Sequence, residues 1–355
     1  MSKRRGPDVA PSAGPTVVRV RDIGEIAVGL PHLLGFHPRE SIVLIGLGGK
    51  SGRRVRMTAR ADIPPPEHDR SMARMLAGKV STARPVGALV LVVSEASDEL
   101  AGNRHRLPHR HLVDETCRAL ERSGVLVADT VLVRGGRWWA YDRADPGVGT
   151  PLPGGVSELE VASIATGTVV AADRDDLAAV IGRPPGHDAP AMAAACARIG
   201  VGLSTDLLDT GPEPVGLESW AAIMAGVDRC RVGASLRIPL ADEDVARIVW
   251  GLRDVVVRDL ALELALGDEP AAVEQLWTEC TRRAPAPLDA APATLLAVCA
   301  YLRGDGAMAN IALDRALTSA PGYGLAGLLR DALDACVTPA DLRAWLTGAD
   351  AEPAR

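Results

Sequence analysis

The fold of this chain is decided by residues 30–47, which read LPHLLGFHPRESIVLIGL. Apolar residues recur at helical spacing through residues 22–34. Gly35 and Pro38 then form a helix stop, because glycine adopts the left-handed conformation after a helix and proline cannot continue one. Residues 41–47 are an unbroken, β-branched apolar run, which is typical of a strand buried on both faces. The stretch therefore predicts a helix, a sharp turn and a core strand.

The first half of the chain alternates between strand and helix patterns. Further strand patterns and helix patterns lie at residues 54–63, 67–81, 86–93, 107–123 and 130–133. A turn at Gly135 and Gly136 then joins residues 130–133 to residues 137–141 as a β-hairpin. Helices interleaved with buried strands predict an α/β domain, and the hairpin makes its sheet mixed.

Strand patterns largely disappear after residue 156. Asp173 stands where it can cap a helix. The Pro- and Gly-rich stretches 183–190 and 211–216 indicate loops, and residues 242–346 are typical of consecutive helices. The second half is therefore predicted to be all-α.

A repeat-like spacing marks the C-terminal helices. Small and apolar residues fall at the positions of a tetratricopeptide unit, which is about 34 residues long, namely Leu296, Ala297, Gly304, Ala309, Leu313, Ala316 and Pro321. Part of the spacing recurs upstream at Val273, Trp277, Cys280 and Pro285. Small residues at these positions let two antiparallel helices touch. The pattern favours a tetratricopeptide-like stack, and a generic alanine-rich bundle is the alternative.

These patterns divide the chain into five parts. We predict a disordered N-terminal segment, an α/β domain, a connector of helices and loops, a helical domain with tetratricopeptide-like pairs and a disordered tail, at residues 1–15, 16–156, 157–216, 217–348 and 349–355. The N-terminal segment is basic and lacks the apolar region of a signal peptide. No run approaches the roughly eighteen apolar residues that span a bilayer.

Composition favours a cytoplasmic globular protein. The 355 residues are 47% hydrophobic and 24% charged, close to the globular average. The net charge of −6 argues against a general nucleic-acid binder, although residues 1–60 are basic. Six scattered cysteines without a CxxC pair fit reduced thiols in a cytosol. We therefore expect neither nucleic acid nor a membrane as a partner.

Four segments together resemble one protein family. They are residues 33–44 (LLGFHPRESIVL), 133–139 (VRGGRWW), 257–259 (VRD) and 296–310 (LAVCAYLRGDGAMAN). In combination they are similar to an actinobacterial family that is described as a domain of unknown function, and the resemblance covers about residues 17–346. The resemblance implies a cytosolic protein of high-GC bacteria. It implies no activity, substrate or catalytic residue.

Two motifs with ligand chemistry have a better structural explanation. Residues 46–51 (GLGGKS) lack the first glycine of a phosphate loop, and a strand follows where that loop needs a helix, so a hairpin is favoured. His105, His109 and His111 resemble a metal-binding tract, but the interleaved arginines oppose a cation, so a solvated helix start is favoured. No metal or cofactor is predicted.

The hairpin after residue 130 carries the clearest binding candidates. Trp138 and Trp139 face opposite ways on a strand, so one can enter the core and the other is covered by another element or exposed. An exposed ring beside Arg134 or Arg137 could stack on a base, a sugar or a partner's side chain. The alternative is that both rings are covered, one by the helices of the sheet and one by the helical domain.

Two further groups complete the candidate site. Gly35, His37 and Ser41 border a strand start where a pocket could lie, but no acidic partner completes a catalytic triad in the sequence. Arg258 and Asp259 lie on a predicted amphipathic helix, where they could pair between helices or belong to a site. The structural explanation is favoured for both groups.

The sequence favours a binding or regulatory protein without enzymatic activity. Its helical domain would engage a protein partner or its own α/β domain, because helical repeats form concave surfaces. The alternative is a small-molecule enzyme or ligand sensor, with a site at the strand ends or in the interdomain cleft near His37, Arg134 and Trp138. Convergence of those three side chains on a cavity with an acidic residue would favour the alternative.

Overall fold

The computed structural model describes residues 22–49, 54–101, 104–143, 147–157, 160–161, 170–231 and 239–348. Within these ranges a mixed sheet and its helices are followed by a long series of helices. The predicted fold class, an α/β region followed by a helical region, is confirmed at that level. The predicted terminal segments, 1–15 and 349–355, lie outside the described residues.

Eight strands form two sheets in the described residues. They are β1 (Ser41–Gly48), β2 (Arg54–Asp62), β3 (Gly87–Val93), β4 (Glu99–Ala101), β5 (Arg104–Arg106), β6 (Leu126–Arg134), β7 (Arg137–Ala140) and β8 (Thr150–Pro151). The main sheet has the order β2-β1-β3-β6-β7-β8, and β4 pairs with β5. Only β3 and β6 are parallel among the described pairs. The sheet is therefore mixed, and the predicted hairpins β1–β2 and β6–β7 are confirmed.

Thirteen helices accompany these strands in the described part of the chain. Those of the α/β region are α1 (Ile23–Leu34), α2 (Asp69–Thr82) and α3 (Arg110–Arg122). The others are α4 (Arg174–Ala179), α5 (Ala189–Thr210), α6 (Pro212–Cys230), α7 (Asp242–Gly251), α8 (Val255–Glu263), α9 (Pro270–Arg283), α10 (Ala290–Arg303), α11 (Gly306–Ser319), α12 (Gly324–Asp334) and α13 (Pro339–Leu346). The run from α7 to α13 confirms the consecutive helices predicted for residues 242–346.

The central strands are buried on both faces and contribute to two cores. Ile42, Leu44 and Val90 belong to the core that α2 and α3 cover. Their neighbours along the strands, such as Val43 and Leu91, point to the other face and belong to a second core. That second core includes α1 and continues without a break through α4 into α9, α10 and α11. One continuous apolar core therefore joins the sheet to the helical region.

The turn after α1 brings three elements together. Gly35 ends α1 with φ of 77°, as the helix stop predicts. A Cβ at Gly35 would lie 3.8 Å from Leu177 on α4 and 3.8 Å from Asp305, between α10 and α11. Phe36 is buried and forms a parallel bridge with Ala171. This turn is thus a junction between the sheet and the helical region.

Small residues let α10 and α11 pack closely. Only Gly304 and Asp305 connect the two helices, so they run antiparallel as neighbours. Ala297, Ala309 and Ala316 are fully buried where the helices meet. The short alanine side chains allow this close approach.

The prediction of a loop at 211–216 is wrong, because those residues are helical from Pro212 onward. The predicted loop at 183–190 extends two residues too far. α6 begins at Pro212 and α5 at Ala189. The reason is that Pro212 and Pro214 lie in the first turn of a helix, where the backbone has no donor to lose. The chain turns at Gly211 alone, with φ of 85°.

The expectation about membrane spans also changes. Among the described residues, α5 is a helix of 22 residues that is long and apolar enough to cross a membrane by composition alone. Core helices of soluble proteins meet the same criterion, so the finding is weak evidence. Three charged residues, Arg198, Asp206 and Asp209, lie on this helix.

Removal of the Leu177 side chain should loosen the junction between the two regions. Leu177 is 6% exposed in the shared core, so we expect Leu177→Ala to lower the free energy of unfolding by about 2–5 kcal/mol. Leu208→Ala is the matched control, because Leu208 is 87% exposed and its loss should cost less than about 0.5 kcal/mol. Urea unfolding measures both, and equal effects would contradict the shared core.

Candidate functional site

The two tryptophans of the hairpin point to opposite faces, as predicted. Trp138 packs with the core beside α1, and a Cβ at Gly24 would lie 3.2 Å from its Nε1. Trp139 packs with the α2–α3 core, and its Nε1 donates to the carbonyl of Gly147 at 3.3 Å. Gly149 lies so close to this ring that a Cβ there would come within 2.3 Å. Both rings are partly buried and covered by elements of the chain.

The two arginines of the hairpin hold neighbouring loops. Arg134 lies 4.8 Å above the Trp139 ring, donates to the carbonyl of Ala96 at 2.6 Å and pairs with Asp98 at 2.9 Å. Arg137 donates to two carbonyls of the loop before β8, at 2.8 and 2.9 Å. These guanidinium groups are therefore engaged within the chain.

His37 and Ser41 lie at the junction turn in different environments. The side chain of His37 is exposed. The backbone N–H of His37 donates to the carbonyl of Ala171 at 3.1 Å. Ser41 is fully buried, donates to the carbonyl of Arg39 at 2.5 Å and accepts from Arg60 Nε at 3.0 Å. Gly35 supplies the left-handed turn between them and α1. Each of these roles is structural.

The three side chains named for a cleft do not line one face. Arg134 lies on the side of β7 that Trp139 faces, whereas Trp138 points to the opposite side. His37 lies exposed beside Ala171. Because the sheet separates Arg134 from Trp138, the structure does not favour an enzyme site built on these three residues.

Arg258 and Asp259 form an ion pair with each other on α8, where Nη2 and Oδ1 are 2.7 Å apart. Burial works against the charge of Arg258, but Asp259 and Tyr323 outweigh it and raise the pKa of the guanidinium group. The two charges therefore compensate each other within α8. A binding role for it stays a prediction.

A cluster that the sequence pattern does not reveal lies at the carboxyl end of β3. The Ser94 hydroxyl lies 2.7 Å from Glu40 Oε2 and 3.0 Å from His109 Nε2, and it accepts the N–H of Ala96 at 3.1 Å. The other Glu40 oxygen accepts the N–H of Glu95 at 2.8 Å. A hydroxyl has one proton, so when Ser94 donates to Glu40 the imidazole must be the donor to Ser94. We call Glu40, Ser94 and His109 the Ser94 cluster.

Sheet topology assembles the Ser94 cluster. β1 runs antiparallel to β3, so Glu40 before β1 meets Ser94 after β3. His109 is the residue before α3, the helix that crosses from β3 to β6. Ser94 also donates its N–H to the carbonyl of Val133 on β6. The cluster therefore lies at one end of the strands, where β1 begins, β3 ends and the segment before α3 passes.

Two members of the Ser94 cluster have unfavourable backbones. Glu40 has φ of 37° and His109 has φ of 58°, a left-handed region that costs a non-glycine residue about 1–3 kcal/mol. Such strain persists only where the surroundings enforce it, and it is enriched at functional sites. A hydroxyl between a carboxylate and an imidazole can transfer a proton. Ser94 is 2% exposed, however, so a ligand reaches it only if the edge opens.

A second polar network joins α2 to α3. His111 Nδ1 lies 2.7 Å from Asp69, and the buried Glu115 pairs with Arg118 at 2.5 Å and with Arg70 at 3.5 Å. Burial opposes ionisation of Glu115, but the two guanidinium groups outweigh it and hold the pKa of this carboxyl below its ordinary value. The His and Arg side chains of this network therefore serve to join α3 to α2.

The described residues contain no group of three or more His, Cys, Asp or Glu side chains that could hold a metal ion. The side chain of His105 lies outside the described part. No disulfide is recorded for the six cysteines, all of which the structure describes, and burial raises the pKa of Cys117 and Cys196 to about 11. Because the thiolate is the nucleophile and the metal ligand, these two thiols are inert at neutral pH.

The architecture is that of an α/β sheet fused through one core to a helical region. The chain belongs to the family described as a domain of unknown function (DUF4192), whose pattern matches residues 24–340. The predicted membership of a family described as a domain of unknown function is thereby confirmed. Its actinobacterial origin stays a prediction. No curated protein and no solved structure matches the chain.

Loss of the Ser94 hydroxyl should destabilise the edge of the sheet. Ser94→Ala removes a buried hydroxyl that bonds three partners, so we expect the free energy of unfolding to fall by about 1–3 kcal/mol. Ser81→Ala is the control, because that hydroxyl bonds only the carbonyl of Ala77 within α2, and a change under about 0.5 kcal/mol is expected. Equal losses would show that the cluster has no special role in stability.

Glu115 should make stability sensitive to acid. A lowered pKa in the folded state adds stability above the unfolded value of about 4.5, and this contribution is lost as the pH falls through the folded value. The difference in unfolding free energy between the natural chain and Glu115→Gln should thus be largest at neutral pH and shrink below pH of about 4.5. Denaturant titrations from pH about 7 to 3 measure it. Exposed Glu121→Gln is the control, and a difference independent of pH would contradict the prediction.

Proposed function

We propose that this chain is a cytosolic binding or regulatory protein without enzymatic activity. Its helical region engages a protein partner while one side of that region stays packed on its own α/β region. The continuous core from the sheet through α4 to α11 carries this proposal, since it fixes the helical region on the sheet. A fixed support presents the remaining helical surface in one geometry, which lowers the entropic cost of binding.

Polar contacts at two separate places reinforce this support. Arg174 on α4 pairs with Asp314 on α11 at 3.0 Å. Lys79 on α2 pairs with Asp334 on α12 at 2.7 Å, and Cys336 Sγ lies 3.3 Å from the carbonyl of Lys79. Exposed ion pairs add little stability. The Arg174–Asp314 pair lies within the helical region, and the contacts of Lys79 join that region to the α/β region.

The helix pairs support a tetratricopeptide-like arrangement. The small residues of the predicted unit are buried between α10 and α11, and Gly304 ends α10 with φ of 92°. The upstream positions Val273, Trp277 and Cys280 are also buried, on α9. Stacked helix pairs of this kind expose surfaces that hold peptides or other domains.

The hairpin side chains named as binding candidates are engaged within the chain. Arg134 and Arg137 are occupied by loop carbonyls and Asp98, and both tryptophans are partly covered. Their side chains would therefore have to exchange these contacts before they could bind a substrate.

Site-specific photocrosslinking in the native host tests the proposal. A photoreactive residue at Leu328 or Leu208, both exposed on helices, should yield a discrete crosslinked protein, whereas one at exposed Leu126 on β6 should not. A thermal-shift screen of metabolites and nucleotides should give no stabilising ligand, since a bound ligand raises stability by mass action. Crosslinks from Leu126 alone, or a stabilising metabolite, would contradict the proposal.

The second candidate function is a small-molecule enzyme or ligand sensor at the strand ends. The observation that favours it is the Ser94 cluster, where two strained residues meet one buried hydroxyl. If the screen yields a stabilising ligand, Ser94→Ala and His109→Ala should abolish its thermal shift and Leu126→Ala should not. A shift that survives in both variants would remove this candidate.

A further inference from the structure

The C-terminal half of α5 extends beyond the body of the helical region. The first half is anchored, because Met192 and Cys196 are buried and Trp250 on α7 donates to the carbonyl of Cys196 at 2.7 Å. Gly200 also lies close to α7, because a Cβ there would lie 2.5 Å from the Trp250 ring. Of residues 201–210, all but Leu203 are exposed. We call residues 201–218, which include the start of α6, the arm.

The arm presents an apolar surface. Val201 is 70% exposed and Leu208 is 87% exposed, and their spacing of seven places them on one face of α5. Leu217 on α6 is 71% exposed. Ser204 and Thr205, which lie between Val201 and Leu208, donate their hydroxyls to helix carbonyls at 2.7 and 3.1 Å. The polar groups of this face are therefore already bonded.

Two further exposed apolar residues lie at the start of α8, next to the arm. A Cβ at Gly216 would lie 3.5 Å from Asp254 and 3.8 Å from Val257, so the start of α8 lies beside the arm. Val255 is 56% exposed and Val256 is 68% exposed. Exposed apolar residues that occur together, rather than singly, mark interaction surfaces.

Local stability does not account for the arm. Residues such as Gly202, Ser204 and Thr205 are weak helix formers, and a short helix without packing is marginal in water. Asp206 and Asp209 lie in the last turns of α5, where the helix dipole disfavours negative charge by about 0.3–1 kcal/mol each. Local choices that cost stability without a local gain are typical of functional surfaces.

The charge of the arm defines what it can bind. No Lys or Arg lies between Arg198 and Arg229, and the arm carries the acidic residues Asp206, Asp209 and Glu213. Glu218, at the end of the arm, pairs with Arg247 on α7 at 3.7 Å and adds no uncompensated charge. Negative charge around an apolar surface attracts a segment that has apolar and basic side chains. The same charge repels anionic lipid headgroups, so it opposes insertion of α5 into a membrane.

We propose that the arm binds a cationic amphipathic segment of a protein partner. Val201, Leu208 and Leu217 would contact the apolar face of that segment. The carboxylates of Asp206, Asp209 and Glu213 would attract its basic side chains. This inference rests on the proposed function, because it names the surface and the partner chemistry for binding by the helical region.

Binding of designed peptides to the full chain tests the chemistry. The probes are a labelled Leu/Lys amphipathic helix of about eighteen residues, a Leu/Glu helix of the same pattern and a Leu/Lys peptide without the amphipathic order. Fluorescence anisotropy should show binding of the first peptide, at least tenfold tighter than the other two, and weaker binding at high salt. Equal binding of the Leu/Glu helix, or tighter binding to vesicles of phosphatidylcholine and phosphatidylglycerol, would overturn the proposal.

Two variants separate the apolar and the charged contributions. A triple variant should bind the Leu/Lys helix at least tenfold more weakly; it combines Val201→Lys, Leu208→Lys and Leu217→Lys. A variant that combines Asp206→Asn, Asp209→Asn and Glu213→Gln should lose most of the salt dependence of peptide binding. Leu126→Lys is the matched control, because Leu126 is 74% exposed on β6, outside the arm. The melting temperature of each variant should be unchanged, and an equal loss of binding in Leu126→Lys would overturn the proposal.

Crosslinking distinguishes failure of this inference from failure of the proposed function. A crosslink from Leu208 to a segment that is basic and apolar supports the arm. Crosslinks from Leu328 without any from Leu208, or from Leu208 to an acidic segment, overturn the arm and leave the proposed function standing. No crosslink from either position overturns both.

Discussion

The structure depends on the need to cover both faces of β1 and β3. Ile42, Val43, Leu44 and Ile45 are all fully buried, so neither face of the sheet meets water at these strands. Two helices, α2 and α3, cover one face, and α1 covers only part of the other. The rest of that second face is covered by α4 and the helices that follow it. The hydrophobic effect on one sheet face therefore positions the whole helical region.

The same arrangement explains why polar groups gather at one edge of the sheet. β1 begins where β3 and β6 end, so the Ser94 cluster and the Arg134–Asp98 pair lie along that edge. Buried polar groups must be hydrogen-bonded, and these contacts satisfy the turns that leave the strands. The strain at Glu40 and His109 is held there by the surrounding bonds. The edge thus holds a polar network that fixes the turns on either side of β1 and β3.

The helical region has two contrasting parts. α9, α10 and α11 are packed through buried small residues and follow the rules of close helix contact. The arm exposes apolar side chains and carries acidic residues near the end of α5. Several of its residues have a low helix propensity. Buried apolar side chains are concentrated where the helical region meets the sheet. The residues that are unfavourable in a helix lie on the arm. This division is what a fixed support with a separate binding surface requires.

The sequence by itself determined the elements whose causes are local. The helix stop at Gly35, the β6–β7 hairpin and the opposite orientation of Trp138 and Trp139 follow from backbone preferences and from the period of a strand. Only the tertiary structure decided which element covers each ring, that residues 212–216 are helical, and that Ser94 meets Glu40 and His109. The physical reason is distance along the chain: Glu40 and His109 lie 54 and 15 residues from Ser94. Contacts of that kind are selected by the packing of whole elements, which no local pattern contains.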